Sequence, residues 1–118
     1  MKHHPVVTVG MAVYNGETHI RQAITSIFAQ DFQDWELVIV DDASSDRSID
    51  ALHQFKDCRI RVFRNETNEG LVAVRNRIMT EARGDFIAWL DQDDLASPRR
   101  LSTQIAFLQK NPYISICG

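Results

Sequence analysis

An α/β fold, with a mainly parallel sheet flanked by helices, is the architecture this sequence predicts, and three observations carry the prediction. Short apolar runs alternate with stretches whose apolar residues recur at helical spacing, so strand and helix patterns take turns along the chain. The runs from Val6 to Tyr14 and from Leu37 to Val40 are nearly apolar throughout, as strands covered on both faces must be. Polar clusters follow three of the runs directly, which in a parallel sheet puts all three on the edge where ligands gather.

The elements follow in order. Val6 to Tyr14 reads as a first strand, broken by Asn15-Gly16. Ile20, Ala23, Ile24, Ile27 and Phe28 then form one apolar stripe on a helix from about Glu17 to Gln30. Leu37 to Val40 is a second buried strand running into Asp41-Asp42. Turn chemistry follows, with Ser45 or Asp46 placed to cap a second helix that buries Ile49, Leu52 and Phe55. Ile60 to Arg64 alternates more, as a strand nearer an edge would. A polar loop from Asn65 to Gly70 leads into a third helix striped by Leu71, Val74, Ile78, Met79 and Ala82, with Gly84 in a C-cap position. Phe86 to Leu90 is a fourth strand. Ser97-Pro98 reads as the start of a fourth helix carrying Leu101, Ile105 and Leu108. Asn111-Pro112 stops it, and Tyr113 to Cys117 completes a β-α-β-α-β-α-β-α-β order. A single domain over residues 1–118 is expected, ending where a complete enzyme would usually continue.

The 118 residues carry a formal charge of −3. That mild acidity argues against a general nucleic-acid binder. No apolar run approaches the roughly 20 residues that span a bilayer, and Met1 to Pro5 lacks the apolar core of a signal peptide. Cys58 and Cys117 have no metal-ligand spacing and read as free thiols in a reducing compartment. His3 and His4 read as an inert, disordered terminus.

The chemistry gathers at the strand ends: Tyr14-Asn15 after the first, Asp41-Asp42 after the second, and Asp91-Gln92-Asp93-Asp94 after the fourth. If the strand order reverses beside the first strand, these line one switch-point crevice. A nucleotide suits it. Tyr14 would flank the base, Asp42 would accept from a base N–H, and Asp93 would hold a metal on the diphosphate. Mg²⁺ or Mn²⁺ takes oxygen ligands, commonly one or two carboxylates plus phosphate oxygens. Each piece has a plainer reading. Asp41-Asp42 is also a turn and cap, Asp91 to Asp94 a solvated loop, Tyr14 a core ring with its hydroxyl at the surface, and Arg75-Asn76 and Arg99-Arg100 ordinary helix surface. Their joint placement at strand ends favours the crevice. Neither Gly-x-Gly-x-x-Gly nor a Gly-Lys-Ser/Thr loop is present, which weighs against dinucleotide enzymes and P-loop ATPases, and no Gly-x-Ser-x-Gly elbow occurs.

Four segments in order resemble family 2 glycosyltransferases of the GT-A fold: Val13 to Glu17 with Ser26 to Gln30; Glu36 to Asp46; Asn68-Glu69-Gly70-Leu71 with Val74-Arg75-Asn76; and Gly84 to Asp94 with Pro98 and Leu101. The resemblance covers almost the whole chain and implies a Rossmann-like GT-A nucleotide-binding half. The implied activity is transfer of a sugar from a nucleotide-diphosphate donor, often a UDP-sugar, to a saccharide or lipid-linked acceptor. By resemblance, Ala12 to Asn15 with Glu17 line the nucleoside pocket, and Gln92 belongs to the same donor site. Asp42 resembles the uracil-contacting aspartate. Asp91 resembles the first carboxylate of the Asp-x-Asp motif, near the ribose or a metal-bound water, and Asp93 the direct ligand of Mn²⁺ or Mg²⁺. Asp94 takes a supporting role, and Arg75 would support the nucleotide side.

The chain departs from the family at Ala12 in place of Pro, at Gly10-Met11 in place of a more aliphatic pair, and at Val74 in place of Ala. The acceptor-binding half and its catalytic base are expected beyond Gly118, together with any membrane-associating segment. A cytoplasmic location, at the inner face of the membrane, goes with this reading. A receiver-like signalling domain is the contrasting reading, but its acidic pair would follow the first strand and a lysine would follow the fifth. A nucleotide-binding module without catalysis is a third reading. A nucleotidyltransferase would want a basic phosphate loop where Asn15-Gly16-Glu17 stands.

Overall fold

A computed structural model describes residues 4–111. Four parallel strands, β1 (Val7–Val13), β2 (Trp35–Asp41), β3 (Ile60–Arg64) and β4 (Phe86–Trp89), lie in the order β3-β2-β1-β4. Between and after them run α1 (Ile20–Phe28), α2 (Ser48–Leu52), α3 (Leu71–Glu81) and α4 (Arg100–Lys110). The chain steps outward from β1 to β3 and then returns to the far side of β1, so the order reverses at β1, the condition under which the three polar strand ends line one crevice. The fifth strand expected over Tyr113 to Cys117 lies outside the described residues.

The period-2 alternation of strands decides which residues meet which helices. Val7, Val9, Met11 and Val13 of β1, with Leu37 and Ile39 of β2, form the larger core against α1, α2 and α4. Val38 and Val40 face the other way and pack with Val74 and Ile78 of α3, flanked by Ala12, Phe63 and Trp89. α3 is the one described helix on that side, and it sits close. A Cβ on Gly10 would lie 2.8 Å from Ile78 Cγ2 and 2.8 Å from Trp89 Cζ3. The departure from an aliphatic residue at position 10 therefore serves helix–sheet packing.

Toward the N-terminal ends of the strands the second face carries a buried polar network. Thr8 Oγ1 donates to Glu36 Oε2 at 2.6 Å, the Arg83 N–H donates to the same oxygen at 2.6 Å, and Arg61 Nη2 donates to Oε1 at 2.9 Å. Burial pushes the Glu36 carboxyl up, but these donors outweigh it and hold it below its ordinary value.

Several expectations need correction. α1 begins at Ile20 rather than near Glu17, after a turn in which the Gly16 carbonyl accepts from His19 and Ile20. No side chain caps α2; Asp46 accepts from the Ser48 N–H and hydroxyl two residues on, an Asx-type turn that precedes the helix. Leu71 and Met79 do not join the α3 stripe but are 53% and 57% exposed. Gly84 is no left-handed cap. A Cβ there would meet Thr8 N at 2.5 Å, so the residue lets the chain pass against β1. α4 starts at Arg100, and Ser97 contributes its carbonyl to the preceding turn. Cys58 is an exposed free thiol, as expected, and Cys117 lies outside the described residues; His4, by contrast, reaches Asp85 at 2.9 Å rather than trailing without contact.

Candidate donor and metal site

The β1 loop begins the site. Asn15 takes a left-handed conformation, φ 50°, which Asn tolerates better than most residues. It is tied down from the β2 side. The Asn15 N–H donates to Ser44 Oγ at 2.9 Å, the Ser45 N–H donates to Asn15 Oδ1 at 2.9 Å, and the Gly16 N–H donates to Ser48 Oγ at 2.8 Å. The Glu17 N–H donates to Asp46 Oδ2 at 3.2 Å. The serines after β2 are thus what shape the end of β1. In the sequence Ser44 and Ser45 show only turn and cap chemistry, because their partners lie about 30 residues away.

The two carboxylates after β2 divide the work. Asp41 is fully buried and accepts from the Ser44 hydroxyl at 2.6 Å and the Ser44 N–H at 3.1 Å, closing a turn through Ala43 at φ 64°. Asp42 turns to the opposite loop. Its Oδ1 accepts from Asn65 Nδ2 at 2.9 Å and the Glu69 N–H at 2.8 Å, and its Oδ2 accepts from the Gly70 N–H at 2.9 Å. Burial pushes this carboxyl up, but the Glu69, Asn65 and Gly70 donors together prevail and leave it below its ordinary value. Asp42 is therefore a fixed anion at 5% exposure, and Oδ2 keeps a lone pair beyond its one protein donor. Gly70, at φ 92°, makes the bend that delivers its N–H.

Beyond Trp89 the chain leaves the sheet and turns, the Asp94 N–H donating to the Asp91 carbonyl at 3.1 Å. One carboxylate oxygen from each of Asp91, Asp93 and Asp94 lies within 4.8 Å of the others. All three side chains are exposed, which lets water screen their mutual repulsion. Hard oxygen donors converging at this spacing fit a divalent cation such as Mn²⁺ or Mg²⁺.

These pieces enclose a cleft of about 360 Å³ at the β1 switch point. Of the residues expected at the site, Ala12, Tyr14, Asp42, Asp91, Gln92 and Asp93 line it together. Three expected residues do not. Asn15 holds the loop from behind. Glu17 faces a separate depression with Arg21, Arg47 and Asp50. Arg75 lies across the Trp89 ring, 5.5 Å from its centroid, in an adjoining cleft that shares Asp91 and includes Arg100. Asn68, Gly70 and Leu71 also line the main cleft, and Leu71 explains its exposure by doing so. Helical spacing alone assigned Leu71 to the core, because periodicity cannot tell a core from a cleft wall.

A family model described as glycosyl transferase family 2 matches residues 8–118. The chain belongs to glycosyl transferase family 2. Among curated relatives, the UDP-Glc:alpha-D-GlcNAc-diphosphoundecaprenol beta-1,3-glucosyltransferase WfgD of Escherichia coli is 38% identical over 106 residues, covering 90% of this chain and 42% of its own length. Among solved structures, S. aureus TarS 1-349 in complex with UDP-GlcNAc superposes with a TM-score of 0.83 at 30% identity, over 88% of this chain and 31% of that one. The mannosyltransferase PcManGT from Pyrobaculum calidifontis, in complex with GDP-Man and Mn²⁺, gives 0.81 at 27% identity, over 88% and 32%. The α/β fold of this family 2 chain is thus the GT-A one. The chain spans less than half the length of the curated relatives it matches.

Proposed function

We propose that this family 2 chain supplies donor and metal binding to an inverting glycosyltransferase. In this reading the enzyme moves a sugar from a UDP-sugar to a saccharide or lipid-linked acceptor in polysaccharide biosynthesis. The observation that carries the reading is the convergence of Tyr14, Asp42, Asp91 and Asp93 on one cleft at the sheet's switch point. The nucleotide-sugar complexes of TarS and PcManGT support a nucleotide-diphosphate donor, and the acceptor named for WfgD supports a lipid-linked one.

Each residue has work suited to its setting. Tyr14, half exposed at the β1 end, lies beside the base. Asp42, held anionic, accepts from a base N–H through the free lone pair of Oδ2. Asp93 is the direct metal ligand, Asp91 flanks it toward the ribose, and Asp94 supports the cluster. A divalent ion held there, Mn²⁺ or Mg²⁺, would neutralise charge on the departing diphosphate. Attack by the acceptor hydroxyl on the anomeric carbon needs a base to take its proton. We assign that base and the acceptor site to portions of the enzyme other than these 118 residues, and accordingly expect the isolated chain to transfer sugar poorly or not at all. Work on a lipid-linked acceptor fits the cytoplasmic side of a membrane, although no described helix is long and apolar enough to cross one.

The test is thermal denaturation with UDP and Mn²⁺. Ligand at about 100 times its Kd stabilises by about 2.7 kcal/mol, worth several degrees in a chain of this size. An unchanged midpoint at millimolar ligand, with the chain folded, would count against the reading.

A further inference from the structure

Gln92 sits between the two carboxylates assigned to the metal and the ribose, yet its amide is directed into the protein. Its Oε1 accepts from the Tyr14 N–H at 2.8 Å, and its Nε2 donates to the Tyr14 carbonyl at 2.9 Å. The amide thereby copies a strand neighbour and pairs both backbone groups of one residue beyond the point where β1 and β4 part. Those two backbone groups would otherwise meet solvent at the rim of the cleft. Gly16 completes the arrangement. A Cβ there would lie 2.6 Å from Gln92 Oε1 and 2.8 Å from its Cδ. Gly16 takes no left-handed φ, so what requires a glycine is the space that the Gln92 amide fills. Among the described residues, Gln92 is the side chain that joins the acidic loop to the β1 loop.

We infer that Gln92 and Gly16 form a clamp that sets the distance between the nucleoside wall and the metal cluster. Gln92 is then a positioning residue and not a donor contact. The inference rests on the glycosyltransferase reading and goes beyond it: nucleoside and diphosphate are covalently linked, so the Tyr14 wall and the Asp91–Asp93 cluster must be held at one spacing for a single ligand to engage both. A misplacement of about 1 Å at positioning contacts costs far more than their hydrogen bonds alone. The ties to Ser44, Ser45 and Ser48 fix the β1 loop to the β2 side, but they leave its spacing from the acidic loop to Gln92.

The test uses the whole chain and the variants Gln92→Met, Gly16→Ala and the double variant. Methionine keeps the length and volume of Gln92 without either hydrogen bond. The first measurement needs no ligand. Amide hydrogen exchange at Tyr14 is slow in the wild type and fast in both single variants; a fast-exchanging wild-type Tyr14 would overturn the clamp. The second measures UDP affinity in Mn²⁺ and in EDTA. Each single variant loses about tenfold in Mn²⁺ and much less in EDTA, so the metal enhancement shrinks. The double variant loses no more than either single, because a methionine that no hydrogen bond holds in place can swing away from the added Cβ. Equal losses with and without metal, or additive losses in the double variant, contradict the positioning role. A wild type that binds no UDP under either condition refutes the glycosyltransferase reading and the positioning role with it, while the exchange result still decides the clamp.

Discussion

Asp42 carries the nearest thing to a fixed charge in the cleft, because three N–H donors of its own chain converge on it. Replacing it by Asn removes the charge and turns one acceptor oxygen into a donor that must face either Gly70 or the Asn65–Glu69 pair. Unfolding in urea should show a loss of about 1–3 kcal/mol, the usual cost of leaving a buried donor unmatched. The pH dependence has a definite sign. Asp42 and Glu36 both lie below their ordinary values in the folded chain. The unfolded chain therefore takes up protons first as pH falls through about 4. Their stabilisation is complete above about pH 5 and drains away as pH drops through the folded-state values. Stability measured from pH 6 to pH 3 should fall, and Asp42→Asn should flatten that slope by removing one of the contributors. A slope unchanged in the variant would mean that the convergent donors do not hold this carboxyl down.

Small residues on β1 govern how closely the elements pack. Thr8, Gly10 and Ala12 face α3, while Val7, Val9, Met11 and Val13 face the larger core. Gly84, in the connection from α3 to β4, crosses β1 so tightly that a Cβ would lie 2.7 Å from Val7 C as well as 2.5 Å from Thr8 N. Backbone cannot yield as a side-chain tip can, so Gly84→Ala should lower stability by about 1–3 kcal/mol. Thermal denaturation would register this as a clear drop in midpoint, with UDP affinity little changed because the site is at the other end of the strands. The four described strands and their order of appearance were legible because buried apolar runs are hard to mistake, and β3 showed its edge position by its alternation. Helix starts were not. Asp46 and Ser97 carry cap chemistry, but their groups close turns just before the helices instead. Local residue type cannot distinguish these outcomes, since the deciding partners are set by tertiary geometry. The same holds at the site. Carboxylates at strand ends announced themselves, whereas the stitching by Ser44, Ser45 and Ser48 and the inward turn of Gln92 depend on contacts between distant segments.

At the scale of the molecule, the reversal of strand order at β1 does what no single motif could. It brings segments near residues 14, 42, 70 and 92 to one edge, so that an aromatic ring, a buried anion and an exposed carboxylate cluster share one cleft. The receiver-like alternative loses its footing here, since the acidic residues follow β2 and β4 rather than β1, and family membership now points elsewhere. Titration of UDP into wild type and Asp93→Asn, each with and without Mn²⁺, tests the proposed division of labour within the cleft. The wild type should bind UDP about tenfold or more tightly with Mn²⁺ than without it, and Asp93→Asn should bind alike under both conditions while keeping its fold. A variant that retained the full Mn²⁺ enhancement would contradict the claim.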